Sequence, residues 1–352
     1  MSLWVDKYRP KQLQNLHYHQ GLTDRLVALA ASGDFPHVLI YGPSGAGKKT
    51  RTVGVLRELY GPGVEKLKIV QRVFVNASNK KLEVNIVSSV YHLEITPSDV
   101  GNYDRIVIQD LLKEVAQTQQ VDLAAKQRFK VVVINEADQL SRDAQAALRR
   151  TMEKYSPNIR LILIANSTSK ILSPIRSRCL LIRVPAPTLE EIGTVIQYVA
   201  SKEHIKVSEK LAERIAIESK RNLRRALLMF EAVQAADPRL SDDSKIPPPD
   251  WEEYISQIAD EMIREQSPQA ILKVRGMMYE LLTHCIPASI ILKTLLFQLL
   301  TKTDDSLKAE VIHWASFYEH RIRTGSKVIF HLEAFVAKYM KITSMYLCGF
   351  MD

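Results

Sequence analysis

The sequence predicts an α/β domain with a mostly parallel sheet, followed by a region built from helices alone. Apolar runs at 38–41, 131–134 and 161–165 indicate buried strands, and stretches with helical spacing of apolar residues lie between them. Strands that alternate with helices are typical of a parallel sheet with crossover helices. After residue 187 the strand signals end, and helical periodicity alone follows.

Local signals place the other elements of the first region. They are, in chain order, an extended arm that ends at Pro10, helices at 22–30 and 51–60, two or three strands within 67–95, and helices at 104–119 and from Ser141 onward.

Changes in composition divide the chain into three predicted domains. They are an α/β domain at 1–186, a small helical domain at 187–236 and a larger helical domain at 250–352, and a polar, proline-rich linker at 237–249 joins the last two. A capping box formed by Thr188 and Glu191 begins the small helical domain. In the larger one, the broad apolar stripe at 290–300 either lies in a bundle core or faces a partner.

Composition excludes several classes of protein. The 46% hydrophobic and 25% charged content over 352 residues is that of an ordinary globular protein. No apolar run reaches the roughly 20 residues that span a bilayer, and the first residues lack the features of a signal peptide. Three scattered cysteines predict neither a disulfide framework nor a metal site, and favour a reducing compartment. The net charge of +9 suggests a polyanionic partner, although solubility alone explains it equally well.

One glycine-rich loop carries the clearest chemical signal. It reads Gly42-Pro43-Ser44-Gly45-Ala46-Gly47-Lys48-Lys49-Thr50, after a predicted strand and before a predicted helix. Backbone N–H groups of such a loop, and the positive end of the helix, bind phosphate oxygens, and Lys48 is expected to reach the β and γ phosphates. The pattern requires Ser or Thr after Lys48 as a ligand of Mg²⁺. Lys49 stands there, and the hydroxyl of Thr50 comes one position late.

A second element shows a matching departure. The apolar run 131–134 is followed by Asn135 and Glu136, where two acids are usual: the first holds Mg²⁺ and the second polarises the attacking water. Glu136 is present, but Asn135 replaces the metal-binding acid. Lys49 and Asn135 should both weaken Mg²⁺ binding, because that ion requires hard, anionic oxygen ligands. Phosphate binding need not suffer, and Lys49 could stand in for the missing cation.

Three further side chains are candidates with open alternatives. Asn166, at a strand end, either orients water near the γ-phosphate or is a turn residue. Arg178, within Ser177-Arg178-Cys179, is either a solvated charge or an arginine inserted into a neighbour's site. Arg224, in the first turn of a predicted helix, either returns to the phosphates of its own site or is simply a basic first turn.

Together these motifs resemble a known family. The segments that carry the resemblance are Trp4–Pro10, the glycine loop, Asn135–Asp138, Ala147–Glu153, Ser177–Cys179 and Asn222–Ala226. In this order they are similar to the small subunits of replication factor C, the eukaryotic sliding-clamp loader and an AAA+ assembly. The resemblance covers the whole chain, and the departures at Lys49 and Asn135 are similar to one subunit type of that family.

The resemblance implies an architecture and a set of partners. An α/β AAA+ P-loop domain with a parallel sheet would be followed by a helical lid at 187–236 and a helical collar at 250–352. Five different subunits would assemble through their collars, with ATP or ADP between neighbouring AAA+ modules. The complex would load the clamp PCNA onto primer–template DNA during replication and repair. Loaders with alternative large subunits, in checkpoint and cohesion functions, and a nuclear location are implied as well.

The resemblance also assigns roles to individual residues. Val5, Tyr8 and Arg9 would pack against the adenine, with His17 nearby. Arg178 would act in trans on the neighbour's ATP, and Arg149 would assist it.

For DNA, the family implies contacts from helix starts to one strand's backbone. Arg105 is the best candidate for such a contact. Lys80 and Lys81 are additional candidates, with a solvated turn as their alternative.

We therefore expect a subunit that binds nucleotide, hydrolyses it poorly and gives Arg178 to a neighbour. Three alternatives remain. The first is a competent ATPase that uses Thr50 as a shifted Mg²⁺ ligand, the second is a structural scaffold without nucleotide, and the third is an AAA+ remodeller that acts on protein.

Overall fold

The computed structural model describes residues 2–75, 81–117, 129–237 and 240–349. The chain forms two compact units, 1–246 and 247–352. Within the described residues, no helix combines the length and the apolar character needed to cross a membrane.

The first unit is built on a seven-stranded sheet with the order β2-β3-β4-β5-β6-β1-β7. The strands are β1 Val38–Tyr41, β2 Lys68–Val75, β3 Lys81–Ser88, β4 His92–Ile95, β5 Lys130–Ile134, β6 Ile159–Ala165 and β7 Leu180–Arg183. Pairing is parallel from β4 through β7, and β2 and β3 add two antiparallel pairs at the other edge. The mostly parallel sheet predicted from the sequence is confirmed.

Nine helices of the first unit surround this sheet in the described part of the chain. They are α1 Trp4–Lys7, α2 Gln20–Ala31, α3 Lys48–Tyr60, α4 Asp104–Gln117, α5 Arg142–Tyr155, α6 Ser173–Arg176, α7 Leu189–Lys202, α8 Glu209–Glu218 and α9 Leu223–Ala236. Short 3₁₀ turns connect several of them.

The prediction of an extended arm before Pro10 is wrong, because Trp4–Lys7 forms one helical turn. The backbone N–H of Trp4 donates to Glu231 at 3.1 Å, and the Trp4 ring lies 5.1 Å from that of Phe230. Docking on α9 therefore fixes a local conformation that the short segment alone does not indicate.

The two faces of the sheet carry separate cores. Helices α4 and α5 pack on one face, around Leu111, Leu148 and Ile134. Helices α2, α3 and α7–α9 belong to the core on the other face, which joins Ile40 of the sheet to Phe230 of α9. The helices predicted as a separate small domain therefore pack in the same unit as the sheet.

The second unit is a bundle of five helices in its described residues. They are α10 Asp250–Arg264, α11 Pro268–Thr283, α12 Ala288–Lys302, α13 Asp305–Thr324 and α14 Val328–Leu347. On α12, Ile291, Leu295 and Leu299 are buried in the bundle core, whereas Ile290 and Phe297 are exposed. The bundle-core alternative is confirmed for these buried positions of the stripe, whereas Ile290 and Phe297 face outward and contact by a partner stays a prediction.

The predicted capping box at the start of α7 is present. Glu191 N–H donates to the Thr188 hydroxyl at 3.2 Å, and the Glu191 carboxylate accepts from Thr188 N–H at 2.8 Å. The other carboxylate oxygen of Glu191 accepts from His19 N–H at 2.9 Å. This cap therefore joins α7 to the segment that precedes α2.

We expect Thr188→Ala to destabilise the first turn of α7 by about 1 kcal/mol, because an N-cap acceptor is lost. Hydrogen exchange of the Glu191 amide should accelerate roughly fivefold, the equivalent of that free energy. Thr194→Ala, at an exposed position of the same helix, is the control and should leave exchange within about twofold, since alanine is a good helix former. Equal acceleration in both variants would contradict the assignment.

Candidate nucleotide-binding site

A cavity of about 370 Å³ lies at the carboxyl edge of the sheet, where ligands bind in α/β folds. It brings together residues from distant parts of the sequence. The predicted site residues that line it are Val5, Tyr8, Arg9, His17, Ser44, Gly45, Gly47, Lys48, Lys49, Thr50, Glu136, Asn166 and Arg224. Gly42, Pro43 and Ala46 belong to the same loop but do not line the cavity.

Side chains from other parts of the first unit pack closely against two glycines of the loop. Gly45 has a φ of 73° and Gly47 a φ of 83°, values that favour glycine. A Cβ on Gly45 would lie 1.7 Å from Oδ1 of Asn222, the N-cap of α9, and one on Gly47 would lie 2.0 Å from the Tyr18 hydroxyl. Both positions therefore require glycine, because a side chain would strain the backbone and collide with its neighbours.

Lys48 extends across the mouth of this loop. Its ammonium donates to the carbonyls of Gly42 at 2.7 Å and Pro43 at 2.8 Å, and to Asn166 Oδ1 at 2.9 Å. Burial lowers the pKa of Lys48; the Asp138 carboxylate opposes this shift, and the Arg224 guanidinium adds to it. Lys48, Asn166 and Arg224 therefore form one polar, electropositive side of the cavity.

The side where a metal ion would be expected has a different chemistry. Lys49 forms an ion pair with Glu94, a residue that the sequence analysis did not select. Asn135 donates its side-chain N–H to the same Glu94 oxygen at 2.8 Å and lies 3.4 Å from the Thr96 hydroxyl. An ammonium and an amide N–H group are donors, whereas Mg²⁺ requires oxygen ligands. These residues do not fit Mg²⁺, although Thr50 lines the cavity.

Glu136 has a left-handed backbone with a φ of 50°, which is uncommon for a residue with a side chain. Its carboxylate accepts a hydrogen bond from the Ser98 hydroxyl at 3.1 Å. The turn and this hydrogen bond hold an exposed carboxylate at the end of β5, beside the glycine loop.

The opposite half of the cavity is apolar. Val5 faces it together with Val195, Tyr198 and Leu227 of the helical region, and the ring of His17 lies 4.5 Å from that of Tyr198. A flat aromatic base could pack among these side chains, while its phosphates reach the loop. The sequence had indicated Arg224 on α9 but not the apolar lining residues of α7 and α9, although 195, 198 and 199 share one helix face.

Tyr8 and Arg9 also line the cavity, and each is already engaged within the chain. The Tyr8 hydroxyl donates to Glu203, and Arg9 pairs with Asp6 at 2.8 Å. The Tyr8 contact joins the amino-terminal segment to Glu203, the C-cap of α7, whereas the Arg9 pair lies within the segment itself.

Arg178 lies outside the cavity of its own chain. It donates to the Pro174 carbonyl at 2.8 Å and pairs with Glu153 of α5, which Arg149 also approaches at 3.5 Å. Partial desolvation opposes ionisation of Glu153, but the two guanidiniums outweigh it, and the pKa of this carboxyl lies below its usual range. Arg178 and Arg149, for which the resemblance implies a joint role at a neighbour's ATP, thus share the Glu153 carboxylate.

The candidate DNA-contacting residues lie apart from the cavity. Arg105 is exposed at the start of α4, beside a shallow groove that Ser141 and Asp143 of the α5 start also line. Both oxygens of Asp104 accept hydrogen bonds from Ser141, at 2.7 and 2.8 Å, so the two helix starts lie side by side. Lys81 is exposed at the beginning of β3, and Lys80 lies outside the described residues.

The fold and the glycine-loop site define an AAA+ P-loop protein. Residues 194–235 match the family described as RCF1/5-like, AAA+ ATPase lid domain, and residues 19–188 match that described as DNA polymerase III, delta subunit. Residues 251–347 match the family described as Replication factor C subunit 3, C-terminal domain.

Curated relatives narrow this class. A replication factor C subunit 5 from Neurospora crassa is 69% identical over 99% of both chains. A subunit 5 from Schizosaccharomyces pombe is 58% identical over 99% of this chain and 98% of its own, and a subunit 3 from Homo sapiens is 54% identical over the same shares. The chain belongs to the replication factor C small-subunit family, in the branch that holds fungal subunit 5 and animal subunit 3.

We expect Gly45→Ala to lower the free energy of unfolding by about 2 kcal/mol, through a strained positive φ and displacement of the Asn222 cap. Urea denaturation followed by circular dichroism measures it. Gly193→Ala is the matched control: no atom lies within 4 Å of its added Cβ, and alanine within a helix should stabilise by up to about 1 kcal/mol. A Gly45→Ala protein as stable as the control would show that the loop is not tightly packed.

Proposed function

We propose that this chain is the subunit of the replication factor C clamp loader that holds ATP or ADP, hydrolyses it poorly and supplies Arg178 to a neighbouring subunit. The observation that carries the proposal is a cavity that keeps the glycines and Lys48 of a phosphate loop, while Lys49 and Asn135 occupy its metal side. A nucleotide can be retained by the first feature and remain unhydrolysed because of the second.

The two halves of the cavity support nucleotide binding. Loop N–H groups, the start of α3, Lys48 and Arg224 form an anion-binding side. Val5, Tyr198 and Leu227 form an apolar side for the base. The cavity's volume of about 370 Å³ falls within the range of small-molecule sites.

Weak hydrolysis follows from what the chemistry of phosphoryl transfer requires. A divalent ion normally bridges the β and γ phosphates and neutralises charge that develops in the transition state. Glu136 could still orient water. However, Asn135 stands where an acid would hold the ion, and Lys49 stands where a hydroxyl group would ligate it. The second candidate function, a competent ATPase, relies on Thr50, which lines the same cavity.

Arg178 fits a role in trans because it is exposed and lies away from its own cavity. A guanidinium supplied by a neighbour stabilises transition-state charge and is worth about 10³–10⁵ in rate. Glu153 would hold Arg178 in the separate chain and release it, or share it, when a neighbour's nucleotide approaches.

The proposal includes the partners that the family implies. These are the other replication factor C subunits in a hetero-pentamer, the clamp PCNA, primer–template DNA and, in checkpoint and cohesion loaders, alternative large subunits. Exposed Ile290 and Phe297 on α12 suit assembly through the second unit. A nuclear location and roles in replication, repair and the DNA damage checkpoint belong to the same proposal.

We expect Arg178→Ala in the reconstituted complex to reduce turnover at the neighbour's site by about 10³. The DNA-stimulated ATPase rate of the whole complex should therefore fall by at least the part that this site contributes. Lys48→Ala should remove nucleotide from this chain and lower ATPase less. Arg176→Ala, an exposed arginine two residues away, is the control and should retain wild-type turnover. Loss of ATPase in Lys48→Ala with none in Arg178→Ala would reverse the assigned roles.

The same proposal predicts how DNA binding responds to salt. Arg105→Ala should weaken binding of the complex to primer–template DNA and reduce the slope of log affinity against log salt by about 1, as expected for one lost phosphate contact. Lys113→Ala, exposed on the same helix, is the control and should retain the wild-type slope. Fluorescence anisotropy over a salt series measures both; identical slopes would remove Arg105 from the interface.

The competent-ATPase alternative has its own test. The test measures ATP hydrolysis by the purified full chain without other subunits. Hydrolysis that is lost in Glu136→Gln would favour the competent ATPase and contradict the proposal of a weakly hydrolysing site.

A further inference from the structure

We propose that the Lys49–Glu94 ion pair takes the place of Mg²⁺, so that this site binds a nucleoside di- or triphosphate without a divalent cation. The inference rests on the proposed function, because it concerns how the same cavity holds its nucleotide.

Glu94 is placed to hold the Lys49 ammonium at the phosphate side. It belongs to β4, next to β5, and its side chain is only 12% exposed. One carboxylate oxygen accepts from both Lys49 and Asn135. Lys49 itself is 48% exposed and lines the cavity. An ammonium has three N–H donors, so the pair leaves donors for phosphate oxygens.

Asn135 is explained by the same cluster. An aspartate there would place a second carboxylate at hydrogen-bond distance from Glu94, and like charges so close repel strongly. The amide instead donates its N–H to Glu94 at 2.8 Å and helps to orient it. Lys49, Glu94 and Asn135 thus form one consistent set of donors and acceptors.

The charges agree with this interpretation. Relative to a loop with a hydroxyl at 49 and an acid at 135, Lys49 adds one positive charge and Asn135 removes one negative charge. The change of two positive charges equals that of a magnesium ion. Lys48 and Arg224 line the same cavity as Lys49, so three cationic side chains face the space where the phosphates would bind.

The test measures the dissociation constants of ADP and ATP for the purified full chain by calorimetry, in magnesium and in EDTA. The wild-type constant should change by less than about threefold between the two conditions. The double variant Lys49→Thr, Asn135→Asp restores the oxygen ligands, so EDTA should weaken its binding by at least about tenfold, or ~1.4 kcal/mol.

A single variant tests Lys49 itself. Lys49→Met should weaken binding in EDTA by about tenfold, or ~1.4 kcal/mol, whereas Lys210→Met, exposed on α8, should bind like the wild type. Circular dichroism verifies that each variant is folded.

The outcomes separate the two proposals. A wild-type protein that loses tenfold or more in EDTA, or a Lys49→Met variant that retains full affinity there, overturns the metal-independent site and leaves nucleotide binding intact. Absence of binding in both conditions overturns the proposed nucleotide-holding function itself.

Discussion

The close approach of other elements to the glycine loop is the constraint on which the first unit depends. At Gly45 the loop meets the N-cap of α9, and at Gly47 it meets Tyr18 of the amino-terminal segment. Because neither position leaves space for a Cβ, the sheet, the helical region and the amino-terminal segment share one arrangement around the cavity. A change in any of the three is transmitted to backbone that would contact phosphate.

Arg51 maintains one of these contacts. It is fully buried in α3 and donates to the Tyr18 carbonyl and to the Thr23 hydroxyl, both at 2.8 Å. Its guanidinium also lies 4.9 Å from the centre of the Tyr18 ring. A buried charge is costly unless it is well hydrogen-bonded, so Arg51 specifies the position of Tyr18 and, through it, the shape of the loop at Gly47. Glu191 acts in parallel by capping α7 and binding His19.

The sequence alone predicted an element correctly where its local pattern agrees with the tertiary structure. Buried strands of four or five apolar residues, the glycine loop and the Thr188 capping box each have a signal within a few residues. It did not predict elements or site residues whose conformation or role depends on contacts with distant parts of the chain. The Trp4 turn depends on α9. Strand β7 was missed because its apolar run, Leu180-Leu181-Ile182, ends after three residues at Arg183, and two of the three are exposed at a sheet edge. Glu94 was missed because its partners, Lys49 and Asn135, are more than 40 residues away on either side.

A cation fixed to the chain differs from a bound metal ion in what it can stabilise. Magnesium bridges the transferring phosphate and follows its charge as the reaction proceeds, and this differential binding accelerates hydrolysis. Lys49 is held by Glu94, so in the proposed site it would offer the bound nucleotide and the transition state much the same contact. Binding both states equally increases occupancy without raising turnover. On the proposed function, Lys49 and Asn135 would therefore favour retention of a nucleotide over its hydrolysis, and Arg178, outside this cavity, would be the catalytic group offered to a neighbour.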